Sequence, residues 1–90
     1  MAIIITYDIP SRHTDLKQEL FKLGYAERII NNGRFIFLPN TTVYHSTKTA
    51  QQGKEDVQRV CIRLNIQLER CISTQFGPDW DAIWGEPFDI

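Results

Sequence analysis

Two kinds of hydrophobic periodicity alternate along this chain, and their order is what most narrows its possible folds. Residues 2–8 form an apolar run with three consecutive isoleucines and a tyrosine, the composition of a strand covered on both faces; Pro10 and Ser11 break it. Residues 14–23 switch to helical spacing, with Leu16, Leu20 and Leu23 at i, i+4 and i+7 on one stripe. Ser11 or Thr14 can cap its start, and Gly24 suits a left-handed stop. Strand character returns at residues 25–30. Asn31-Asn32-Gly33 then signals a two-residue hairpin turn, because Asn and Gly tolerate positive φ. Residues 34–38 make the returning strand. Pro39-Asn40 interrupts it, which leaves residues 41–45 as either its continuation past a bulge or a separate short strand.

The second helix spans residues 49–65. Val57, Val60, Cys61 and Leu64 make its apolar face, and Lys54, Asp56, Arg59 and Arg63 populate the remainder. Gly53 weakens its first turns by about 1 kcal/mol relative to Ala. Residues 66–76 read as the last strand, with Ile66, Leu68, Ile72 and Phe76 on one parity, and Gly77-Pro78 ends it. The order β-α-β-β-α-β within 90 residues predicts one α+β domain, a ferredoxin-like βαββαβ sandwich. Its two right-handed crossovers and one hairpin put both helices on one face of an antiparallel sheet. The opposite face must be covered or must bind something. The domain takes residues 1–78. Residues 79–90 form an acidic, aromatic tail with Trp80, Ile83, Trp84 and Phe88, expected to pack on the domain or on a partner subunit; a helical turn would bring Trp80 and Trp84 together.

Charge is uneven. The net formal charge is −1, but the four acids Asp79, Asp81, Glu86 and Asp89 sit in the tail, so residues 1–78 carry ten basic and seven acidic side chains. A mildly basic body with an acidic tail is compatible with nucleic-acid contact without requiring it. No stretch approaches the roughly 18 apolar residues of a membrane-spanning helix, and residues 2–5 lack the basic flank of a secretory signal. Cys61 and Cys71 form neither a CxxC pair nor a zinc pattern. As buried free thiols they fit a reducing, cytoplasmic setting.

The sharpest local feature is Tyr7-Asp8-Ile9-Pro10-Ser11-Arg12, a carboxylate at the C-terminal end of a strand followed by a turn with Arg12 and His13. The opening IIITYDIPSRHTDLKQELFKLGYAERI resembles the small CRISPR-associated endonuclease and integration-scaffold family, with its virulence-associated protein D relatives. The resemblance covers about the first third of the chain and the order of elements. It implies a homodimer through open sheet faces, with Asp8 near its symmetry mate. Such a pair could share one Mg²⁺, which favours oxygen ligands and could activate water for phosphodiester cleavage by an endonuclease. On the residues alone, Asp8 equally fits an Asx bond capping the following turn.

Other candidates are weaker in pattern. Phe35 and Phe37 share one strand face beside Arg34, faintly like the base-stacking strand of RNA-recognition domains, and equally like a core or dimer interface together with Trp80 and Trp84. Arg12, Lys17, Arg28 and Arg34 are candidates to line a phosphate track, or are solvated charges. His13 and His45 are isolated in sequence. Three readings follow: a nucleic-acid-associated homodimer with or without Mg²⁺-dependent nuclease activity on DNA or RNA, a single-strand-binding domain using the sheet face, and a protein-interaction module of antitoxin type.

Overall fold

The computed structural model describes residues 1–83 and 85. Five strands and two helices follow in the order β1 (Ile3–Asp8), α1 (His13–Lys22), β2 (Arg28–Asn31), β3 (Arg34–Phe37), β4 (Thr42–His45), α2 (Ala50–Leu64) and β5 (Arg70–Gln75). They form a small α+β structure with a three-stranded antiparallel sheet, β4-β1-β5, and a separate two-stranded sheet, β2-β3.

Strand β1 is central because its alternating side chains are apolar on the inner face. Ile3, Ile5 and Tyr7 are buried with Leu16 and Leu20 of α1, Val57, Val60 and Cys61 of α2, and Val43 of β4. Both helices therefore cover one face of the sheet. Helix α2 begins with a capping box between Thr49 and Gln52 and ends on Asn65 in the left-handed region. Neither Ser11 nor Thr14 caps α1. Its N-cap is Arg12, at φ 63° and without a side-chain cap bond.

Gly53 lets α2 approach the sheet. A Cβ at that position would lie 2.5 Å from Ile3 Cδ1, 2.8 Å from Ile5 Cδ1 and 2.9 Å from Ser73 Oγ. The β5 positions turned inward are correspondingly small, Cys71 and Ser73. The expected parity of the last strand is thus corrected: β5 starts only at Arg70, and Ile72 points outward with 64% of its surface exposed.

Within residues 41–45, Thr42–His45 form a separate strand, β4, after a turn at Thr41. It is β4, not β3, that pairs with β1, Ile5 lying opposite Val43. The turn between β2 and β3 has Asn32 and Gly33 both at positive φ, as a two-residue hairpin of this hand requires. Just before the hairpin, Ala26 bridges to Tyr44 at the edge of the main sheet, and the hairpin itself leaves that sheet to fold across its outer face. There Ile29, Ile36 and Leu38 bury themselves against Ile4, Tyr44, Phe76 and Trp80. No helix among the described residues is long and apolar enough to cross a membrane.

Candidate nucleic-acid interface

The outer face of the main sheet is divided. The hairpin and residues 76–83 cover the end that carries Ile4 and Tyr44. The other end, with Thr6, Asp8, Arg70 and Ile72, is exposed. Asp8 sits at the exposed end of β1, across from Arg70, whose Nε donates to Asp8 Oδ2 at 2.5 Å. The hydrogen bond that Arg70 donates to this carboxylate, and then the carboxylate's charge, raise the Arg70 guanidinium pKa above its ordinary value. The Asp8 carbonyl also accepts the Glu69 N–H at 2.9 Å. No group of three or more His, Cys, Asp or Glu side chains able to hold a metal occurs among the described residues. The charged partner of the Asp8 carboxylate is the Arg70 guanidinium.

The four basic candidates do not form one track. Arg12 spends its guanidinium on the fold: Nε donates to Asp15 at 2.9 Å, and another nitrogen donates to the Leu64 carbonyl, tying the start of α1 to the end of α2. Lys17 is buried, with Nζ 3.3 Å from Glu27 Oε2 and 3.4 Å from Asn40 Oδ1, so it lines no surface. Arg28 and Arg34 stand on the hairpin. Arg28 lies opposite Phe37 in register, and its guanidinium carbon is 4.2 Å from the centre of the Phe35 ring.

Of the interface candidates, Phe35 and Phe37 share the outer face of the hairpin with Ile30, because Ile29 and Ile36 take the inner one. Ile30 is 69% and Phe35 43% exposed, whereas Phe37 is half-buried against Gly85. Trp80 packs within its own chain, with its ring centre 4.9 Å from that of Phe76, which in turn meets Tyr44 edge-on at 5.9 Å. Residues 79–83 form no helical turn, so the expected helical pairing of Trp80 with Trp84 has no helix on the Trp80 side; Trp84 lies outside the described residues.

Two clefts flank the hairpin. One, of about 710 Å³, runs between the hairpin and the sheet and is apolar, with Ile4, Ile36, Leu38, Phe76 and Trp80 among its walls. The other, of about 640 Å³, is lined by Arg28, Ile30 and Phe35 of the hairpin and by Tyr44, Phe76 and Trp80.

Sequence reasoning missed one buried polar cluster. Asp56, which lies outside the apolar stripe read for α2, is buried. Its carboxylate accepts Tyr25 Oη at 2.8 Å and is also paired with Lys48 and Arg59. Burial pushes its pKa upward, but hydrogen bonds from Lys48 and Tyr25 and the charges of Lys48 and Arg59 outweigh that and leave it below the ordinary carboxylate value. His45 Nδ1 accepts the Thr47 N–H at 3.2 Å, and its ring meets Tyr25 edge-on at 4.9 Å. The sequence signal for this cluster was Tyr25 directly after the glycine that ends α1, where a phenol enters the core and needs an acceptor. Cys61 and Cys71 are free thiols, and burial raises the pKa of both. The chain matches no protein-family profile, no curated protein and no solved structure.

Proposed function

We propose that this chain is a nucleic-acid-associated binding domain of ferredoxin-like topology that acts as a homodimer and does not hydrolyse its nucleic acid. The strand order supports the fold reading: the isolated Ala26–Tyr44 bridge adds the residues just before β2 to the β4 edge of the β4-β1-β5 sheet, as a ferredoxin-like order would require. The resemblance of the first third of the chain to the CRISPR-associated endonuclease and scaffold family supports the rest.

The observation that carries this reading is the exposed strip Thr6, Asp8, Arg70 and Ile72 on the outer sheet face. It offers an apolar centre in Ile72 and a charge pair beside it, a self-complementary patch for a two-fold contact. Asp8 with its symmetry mate would supply the oxygen ligands for a Mg²⁺ ion in a nuclease. Here the guanidinium of Arg70 holds the carboxylate that the metal would need. A positive charge at that distance opposes a second cation by Coulomb repulsion.

Sedimentation across the micromolar range and incubation with DNA and RNA in Mg²⁺ or Mn²⁺ test the proposal. A dimer that Ile72→Asp converts to monomer, with substrates left intact, is expected. A monomer at all concentrations removes the dimer reading. Cleavage by the wild type that Asp8→Asn abolishes would show an enzyme with Asp8 at its centre.

A further inference from the structure

We infer that the side cleft of the hairpin is a stacking site for an unpaired nucleobase, so that the preferred partner is single-stranded nucleic acid. The inference rests on the nucleic-acid reading above and goes further by naming the surface and the strandedness. Three observations carry it.

Charge comes first. From Arg28 to Phe37 the hairpin has two arginines and no acid, and the exposed Arg28 places its guanidinium at the hairpin's outer face. Such a local excess suits a polyanion and makes binding fall with added salt.

Aromatic placement comes second. Phe35 stays 43% exposed on the outer face, with the Arg28 guanidinium over its ring at 4.2 Å. Aromatic rings and guanidinium groups both stack on bases, and the guanidinium edges can donate to the phosphate beside the stacked base. Tyr44, Phe76 and Trp80 also line the cleft, and their rings are held by edge and tilted contacts with one another.

Size comes third. A cleft of about 640 Å³ lies within the roughly 300–1,000 Å³ range of small-molecule sites, which suits one or two nucleotides. A duplex keeps its bases paired and stacked inside the helix, so they would reach these rings only after being flipped out at an energetic cost.

Fluorescence anisotropy of the full chain with labelled oligo-dT, oligo-U and a duplex DNA tests this. The variants are Phe35→Leu, which keeps an apolar side chain but loses the π-face; Phe35→Tyr, which keeps both; and Arg28→Gln, which removes the charge if the leucine variant folds poorly. Circular dichroism confirms folding of each. The expected result is salt-sensitive binding of single strands that is roughly fivefold to a hundredfold weaker in Phe35→Leu. It is also weaker in Arg28→Gln, nearly unchanged in Phe35→Tyr, and tighter for single strands than for the duplex. Comparison of oligo-dT with oligo-U separates DNA from RNA as the source of the base. If single strands bind and neither Phe35→Leu nor Arg28→Gln weakens them, this site is wrong while the nucleic-acid reading survives. If the duplex binds best, the single-strand preference is wrong. If no nucleic acid binds, both fall together.

Discussion

Replacing Gly53 by Ala sets two effects of known sign against each other. In an isolated helix the substitution stabilises by about 1 kcal/mol, because Gly loses more backbone freedom than Ala. In this protein the added methyl would meet Ile3 Cδ1 at 2.5 Å, Ile5 Cδ1 at 2.8 Å and Ser73 Oγ at 2.9 Å, all closer than atoms of these types normally approach. Ile3 and Ile5 are fully buried, so their terminal methyls have no free volume to swing into. Relief then requires α2 to lift from the sheet, which loosens Val57, Val60 and Cys61 as well. Overpacking of this kind costs about 1–3 kcal/mol. With three contacts at once the upper end applies, and the net expectation is a loss of about 2 kcal/mol after the helix gain is deducted. For a domain of this size that corresponds to a fall in Tm of about 8–16 °C. Thermal and urea unfolding followed by far-ultraviolet circular dichroism measure it. Ile3→Val removes the methyl with the closest contact, so the double variant Ile3→Val/Gly53→Ala should be more stable than the two single losses added together. A Tm for Gly53→Ala at or above wild type would refute the close-approach account of α2.

Tyr7 is buried and its Oη has no hydrogen-bond partner among the described residues; burial, more than the neighbouring Cys61 and Glu27, pushes its pKa up. Tyr7→Phe should therefore be neutral or stabilise by about 1 kcal/mol, and a loss of more than that in urea unfolding would mean the hydroxyl has a partner. Asp56 has a depressed pKa in the folded state, so its contribution is present above the ordinary aspartate pKa and is lost as pH falls through the depressed value. The stability gap between wild type and Asp56→Asn should accordingly be constant near neutrality and narrow below about pH 4; a gap that does not change with pH would sever Asp56 from Lys48 and Arg59.

Much of the element order was legible because it depends on local signals. The isoleucine run of β1, the Asn-Gly turn and the Val57–Val60–Cys61 stripe each declare themselves within a few residues, and the structure has all three. What was not legible depended on distant partners. Nothing near Gly53 says that a sheet passes within contact distance, so it read as a defect of the helix. Ile72 shared a parity with Ile66 and Phe76, yet faces outward because the inner positions of β5 must be small beneath Gly53. Nothing local marked Asp56 or Lys17 as buried, since their partners Tyr25 and Glu27 are 31 and 10 residues away in sequence. The site was legible in part: Arg28, Phe35 and Trp80 were each singled out, but the cleft that gathers them arises only when the hairpin leaves the main sheet.

That departure has a local cause. Thr41, between β3 and β4, has φ 60°, a left-handed conformation that is strained for a β-branched residue. Two sets of contacts hold it. The Thr41 carbonyl accepts the Tyr7 N–H at 3.0 Å, which anchors the turn to β1, and the Asn40 side chain accepts both the Thr41 N–H and the buried Lys17 ammonium. With Pro39 unable to donate to a ladder, the chain cannot continue from β3 into β4 as one strand. It reverses onto the outer face, with Ile29 and Ile36 turned inward and Arg28 and Phe35 turned out. Lys17, which the sequence offered as a phosphate contact, acts one step earlier. It steadies the turn from which the hairpin departs, and the guanidinium exposed beside Phe35 on the hairpin is that of Arg28.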